Sequence, residues 1–196
     1  MQPEKLSLLD SLSFRLELTA LNSEADARPL RTLLDRLNEH LSSSNLKGPL
    51  YAMIHEIAAN SLKALYKKVY FQSLQVSSAG QDYGSALAKF RAELEEGNAR
   101  RLIALLEEQS LSVILTGRRE GDEFLIAAIT PGEPSEIEKE RIERAVERGR
   151  RLNSFGFLLM EDSSEEAHRE GGSLGIPLIM MSLRSLGLSA DSFHIE

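Results

Sequence analysis

The 196-residue chain has no cysteine and no tryptophan. Thiol catalysis, cysteine-ligated zinc and a disulfide-built secreted scaffold are thereby excluded. Long apolar runs are missing as well, since no stretch approaches the ~20 residues that a membrane span requires. The opening Met1-Gln2-Pro3-Glu4-Lys5 lacks the basic flank and apolar run of a secretory leader. Basic side chains are the minority, 23 Lys and Arg against 30 Asp and Glu, for a formal charge of -7. That balance argues against nucleic acid or an anionic membrane as a partner, and the missing span and leader make the cytoplasm the expected location. No internal repeat or low-complexity tract occurs. What remains is ordinary for a globular protein, 42% apolar and 27% charged. The length suits a single domain over residues 1–196, with residues 1–10 as an N-terminal tail. A chain of this size needs no covalent staple to hold its core.

Residues 11–19 alternate, with Leu12, Phe14, Leu16 and Leu18 opposite Ser13, Arg15 and Glu17, as in a half-buried strand. Pro29 suits the first turn of a helix whose Leu30, Leu33, Leu34, Leu37 and Leu41 form one stripe. That stripe suits either packing on a sheet or the seam of a homodimer. A second helix is expected over residues 49–71, with Leu50, Ile54, Ile57, Ser61, Leu62 and Leu65 along its buried side. Residues 82–107 read as one helix, or as two broken at Gly97. Two strands, 110–116 and 123–130, flank a glycine- and charge-rich loop over 117–122, and Pro131-Gly132-Glu133-Pro134 ends the second. A charged helix over 136–152 places Ile137, Ile142, Ala145, Val146 and Gly149 inward. Beyond it come an apolar run at 155–160, a polar stretch at 161–170, and a helix over 176–186 capped by Gly187. Residues 192–196 are expected to form a last strand. This order is not the strand–helix alternation of a doubly wound fold. It fits an α+β, two-layer sandwich with helices on one face of a mixed, mostly antiparallel sheet.

Two segments carry chemistry. In Met53-Ile54-His55-Glu56-Ile57-Ala58-Ala59-Asn60-Ser61-Leu62-Lys63, the residues Glu56, Asn60 and Lys63 stand at i, i+4 and i+7, on one side of a helix. A carboxylate, an amide and an ammonium in that arrangement suit a nucleoside triphosphate. The amide oxygen ligates Mg²⁺, the carboxylate orients or deprotonates an attacking group, and the ammonium neutralises phosphate. A solvated helix face is the alternative that spacing alone leaves open. The second segment, Gly171-Gly172-Ser173-Leu174-Gly175, opens a helix, and such a turn offers backbone N–H groups and a positive dipole end to phosphate. It is neither a Walker A loop nor a dinucleotide fingerprint, and glycine turns before helices often serve only as connectors.

Taken together and in this order, HEIAANSLKA and GGSLGIPLIMMSLRSLGL resemble the N box and last glycine box of the GHKL ATPase superfamily. That superfamily comprises gyrase, mismatch-repair ATPases, histidine kinases and anti-sigma-factor kinases, all built on the Bergerat sandwich. The strand and helix ahead of the N box are most similar to the stand-alone anti-sigma-factor kinases of bacteria. The resemblance implies an ATP-binding signalling domain, an ATP-dependent kinase or ATPase if active, with ATP and Mg²⁺ as cofactors and a protein partner. It assigns Glu56 as general base and Asn60 as Mg²⁺ ligand, with Lys63 on phosphate. Gly171, Gly172, Ser173, Leu174 and Gly175 would cradle phosphate, and residues 161–170 would belong to a lid.

The chain departs from that pattern at the adenine-recognising D-x-G-x-G box. Here it reads Ile129-Thr130-Pro131-Gly132-Glu133-Pro134, leaving Thr130 and Gly132 as the base-binding candidates without an Asp. Losing such an acceptor forfeits about 1–3 kcal/mol. Ser173 also replaces a glycine of the phosphate turn. These departures support an alternative, a catalytically inactive module of the same fold that works by dimerisation or protein binding. A third alternative is an unrelated α+β protein. His40, His55, His168 and His194 show no metal-ligand spacing, and the arginine pairs 100–101, 118–119 and 150–151 read as solvated partners of nearby glutamates.

Overall fold

The computed structural model describes residues 6–10, 13–21, 24–41, 47–77, 80, 82–95, 99–121, 123–152 and 175–195. Their elements run β1 (Leu6–Asp10), β2 (Ser13–Leu18), α1 (Glu24–Leu41), α2 (Lys47–Ser73), α3 (Tyr83–Glu95), α4 (Ala99–Glu108), β3 (Val113–Glu120), β4 (Glu123–Ile129), α5 (Glu136–Arg151) and α6 (Gly175–Ser185), then a short 3-10 turn at Ala190–Ser192. The protein is therefore mixed α+β with an antiparallel sheet. It divides into two compact units, Met1–Asp35 with Ala58–Gly132 and Arg36–Ile57 with Glu133–Glu196.

The first unit holds the sheet, four strands in the order β1-β2-β3-β4, each antiparallel to its neighbour. The alternation in β2 and β3 sets the register. Phe14 faces Gly117, Leu16 faces Leu115 and Leu18 faces Val113, and all six are buried on one face. Gly117 has a steric reason to be glycine, because a Cβ there would run into the Phe14 ring, whose Cζ and Cδ1 lie 2.6 and 2.8 Å from that point. The other face carries Arg15 and Glu17 on β2, and on the β3–β4 side Ile114 opposite Ile129, with Leu125 and Ile129 half in solvent at 48% and 53% exposure.

Several elements differ from expectation. β1 pairs Leu6 with Leu16 and Leu8 with Phe14, so the sheet extends into the stretch read as an N-terminal tail. The Leu6-Ser7-Leu8 alternation is too short to register beside a five-residue polar start, and a bulge between Leu8 and Asp10 interrupts it further. The hairpin loop shrinks from six residues to 121–122, because Arg118, Arg119 and Glu120 continue β3 and pair with Leu125, Phe124 and Glu123. Gly121, at φ +61°, supplies the positive φ that a two-residue hairpin turn demands. Helix α1 begins five residues before Pro29, which lies inside it rather than in its first turn. The proline has no N–H to donate to the Ala25 carbonyl, so α1 lacks one backbone bond in its second turn. Two helices, α3 and α4, cover Tyr83–Glu95 and Ala99–Glu108, and Gly97, the expected breaking point, lies outside the described residues.

Leu30, Leu33, Leu34 and Leu37 are buried within the single chain, so those four leave no surface for a dimer seam. In α2, Leu50, Ile54, Leu62 and Leu65 are buried as the periodicity requires. Its C-terminal half is fastened to the sheet at two points. The Tyr66 hydroxyl donates to the Thr19 carbonyl just beyond β2 at 2.6 Å, and the Lys68 ammonium donates to the Pro131 carbonyl just beyond β4 at 3.1 Å. Strands β2 and β4 both run antiparallel to β3, so their C-terminal ends share one end of the sheet, and α2 passes across it. Ring contacts extend this packing to α3, with Tyr70 against Phe90 and Phe71 against Tyr83, and the Arg101 guanidinium of α4 lies over Tyr70.

Burial, with a smaller contribution from the Asp26 charge, pushes the Tyr66 phenol up from 10.0 to about 12. Below pH 10 the phenol is neutral in both folded and unfolded chains. Between pH 10 and 12 only the unfolded chain ionises, which draws the equilibrium toward unfolding. Wild type is expected to lose roughly 2–3 kcal/mol more than Tyr66→Phe across that window in urea denaturation. Equal losses in the two proteins would contradict the buried placement.

In the second unit α5 opens on a capping box. The Ser135 hydroxyl accepts from the Glu138 N–H, and the Glu138 carboxylate accepts from the Ser135 N–H at 3.0 Å. Gly149 lets α5 meet α6 closely, since a Cβ there would lie 3.2 Å from the Pro177 Cα and 3.3 Å from the Met180 Cγ. The Arg184 guanidinium of α6 donates to the Leu152 carbonyl and, at 2.7 Å, to that of Arg150, satisfying orphan carbonyls at the end of α5. Ile137, expected inward, is 39% exposed. Gly187, at φ +75°, ends α6 as expected, with the Leu188 N–H bonded to the Leu183 carbonyl. Residues 193–195 are not a strand. Ser189 caps the short turn at Ala190–Ser192 instead, accepting from the Asp191 N–H at 3.1 Å, which turns the chain before it can extend.

Candidate functional site

Helix α2 carries the three polar candidates of the first motif. It is 27 residues long and continuous through residues 56–63, so Glu56 and Asn60 stand one turn apart and Lys63 follows on the next turn. Glu56 and Asn60 are half-buried and Lys63 is exposed. Among the described residues neither Glu56 nor Asn60 forms a hydrogen bond or ion pair. The apolar residues of the same helix, Ile54, Ala58, Leu62 and Leu65, are fully or almost fully buried and fix its rotation. His55 stacks on Tyr51, ring centroids 5.8 Å apart, which gives it a packing role.

The turn after β4 holds Thr130 and Gly132 at the C-terminal end of the sheet, half-buried and exposed respectively. Gly132 adopts φ +92°, and a Cβ there would collide with the Lys68 ammonium and lie 3.1 Å from its Cε. The positive φ is what favours glycine at 132, since the Lys68 side chain is long enough to move aside. Lys68 sits eight residues beyond Asn60, about 12 Å along the axis at 1.5 Å per residue. The structure thus brings Thr130 and Gly132 to the same helix that bears Asn60 and Lys63. Sequence reasoning missed Lys68. Its partner lies 63 residues away, and no local pattern distinguishes it from the neighbouring Lys63 and Lys67.

The second motif is described only at its last residue. Gly175 is buried and forms the first residue of α6, as a glycine opening a helix should. Gly171, Gly172, Ser173 and Leu174 lie outside the described residues, as do the apolar run 155–160 and the polar stretch 161–170.

Among the described residues no cluster of three or more His, Asp or Glu side chains is arranged to hold a metal ion. The Asn60 amide, half-buried and with no partner among the described residues, is chemically able to hold a hard cation such as Mg²⁺. The arginine pairs are engaged elsewhere. Arg101 pairs with Glu93, Arg118 with Glu120, Arg150 with Asp191 and Arg151 with Glu147, all with exposed guanidinium groups worth little to stability. No helix among the described residues is long and apolar enough to cross a membrane.

No family model and no solved structure matches the chain. It is 26% identical over 168 residues to an uncharacterized protein of Treponema pallidum (strain Nichols), an alignment covering 84% of this chain. The chain spans about a third of that relative's length, the alignment covering 31% of it.

Proposed function

We propose that the chain is a GHKL-type nucleotide-binding domain of a cytoplasmic bacterial signalling system, related to the histidine kinases and anti-sigma-factor kinases. ATP and Mg²⁺ are its ligands, and a two-layer sandwich of the Bergerat kind is its architecture. The observation that carries this reading is the pair Glu56 and Asn60, half-buried on consecutive turns of α2 and without a partner among the described residues. Asparagine is an unfavourable residue in mid-helix, and the Asn60 amide, with no partner among the described residues, is free to bind a ligand. In this reading the Asn60 amide oxygen holds Mg²⁺ and Lys63 neutralises phosphate. Glu56 accepts the proton of the attacking water or hydroxyl, and the turn at 171–175 offers backbone N–H groups. Bound Mg²⁺–ATP supplies the phosphoryl group for transfer.

A second reading keeps the fold and removes the turnover, leaving a module that acts by dimerisation or by binding a protein partner. It is favoured at the turn after β4. There Thr130 takes the place of an aspartate, and Lys68, which reaches the turn at the Pro131 carbonyl, is a donor with no acceptor capacity. Glu56→Gln separates the two readings. An enzyme is expected to keep nucleotide affinity within about twofold and lose about 10²–10⁴ in turnover, the usual contribution of a positioned general base. Turnover unchanged by the substitution would remove Glu56 from the mechanism. A wild-type chain that binds nucleotide without consuming it would select the inactive module.

A further inference from the structure

We draw no further inference here: the strongest candidate, the exposed apolar pair Leu125 and Ile129 beside half-buried Ile114 on one face of the β3–β4 hairpin, carries nothing because no feature of the structure shows what covers it.

Discussion

Asn60→Ala is expected to weaken Mg²⁺–ATP binding by roughly ten- to a hundredfold while leaving the fold as stable as before or slightly more so. The two effects have separate causes. A hydrogen bond or ligand bond to a charged group contributes about 1.5–3 kcal/mol, and each 1.4 kcal/mol is tenfold in affinity. The fold loses nothing comparable, because the Asn60 amide has no partner among the described residues. Alanine is the better helix former by up to about 0.7 kcal/mol, so the melting temperature should hold or rise. Higher stability with lost binding is the signature of a residue kept for function. Were Asn60 merely a packing residue, the substitution would lower stability, and ligand binding would change only through that loss. Calorimetric titration and thermal denaturation of the same two proteins distinguish these outcomes.

The largest effect on stability is expected at Gly117. Its position opposite Phe14 is closed by the aromatic ring, and the glycine is buried in the middle of β3. Valine has the higher strand propensity, which alone would predict stabilisation. Steric overlap opposes this, because overpacking a closed site commonly costs about 1–3 kcal/mol and sometimes more. We expect Gly117→Val to destabilise by about 3 kcal/mol, a fall of roughly 6–12 °C in melting temperature for a chain of this length. In a Phe14→Ala background the same substitution should cost little or nothing, since the obstructing ring is gone. Additive losses in the double variant would show that Phe14 does not lie over Gly117.

The parts of the fold legible in the sequence are those fixed by local periodicity. Strand β2 follows from the alternation of Phe14, Leu16 and Leu18, and the buried side of α2 follows from Leu50, Ile54, Leu62 and Leu65. The ends of elements were harder, for reasons visible at particular residues. Helix α2 ends in a turn with Gln75 at φ +55° and α4 with Ser110 at φ +53°, each closed by backbone bonds but neither marked by glycine. Arg118, Arg119 and Glu120 look like loop residues, yet pairing with β4 holds them in a strand whose charged side chains reach solvent. The 3-10 turn at the C-terminus depends on a Ser189 cap, and residues 192–196 showed only their short apolar–polar pattern.

For the candidate site, the helical spacing of Glu56, Asn60 and Lys63 was legible because all three fall well inside one long helix, α2. The approach of the turn at Thr130 and Gly132 to that helix was not, because it rests on Lys68 reaching a carbonyl remote in sequence. Tertiary contacts of single long side chains leave no periodic trace.

The most direct measurement is calorimetric titration of the wild-type chain with ATP, in the presence and absence of Mg²⁺. The account predicts saturable binding of one nucleotide per chain at millimolar concentration or below, weakened when Mg²⁺ is removed. No binding at millimolar nucleotide, with or without the cation, would contradict it.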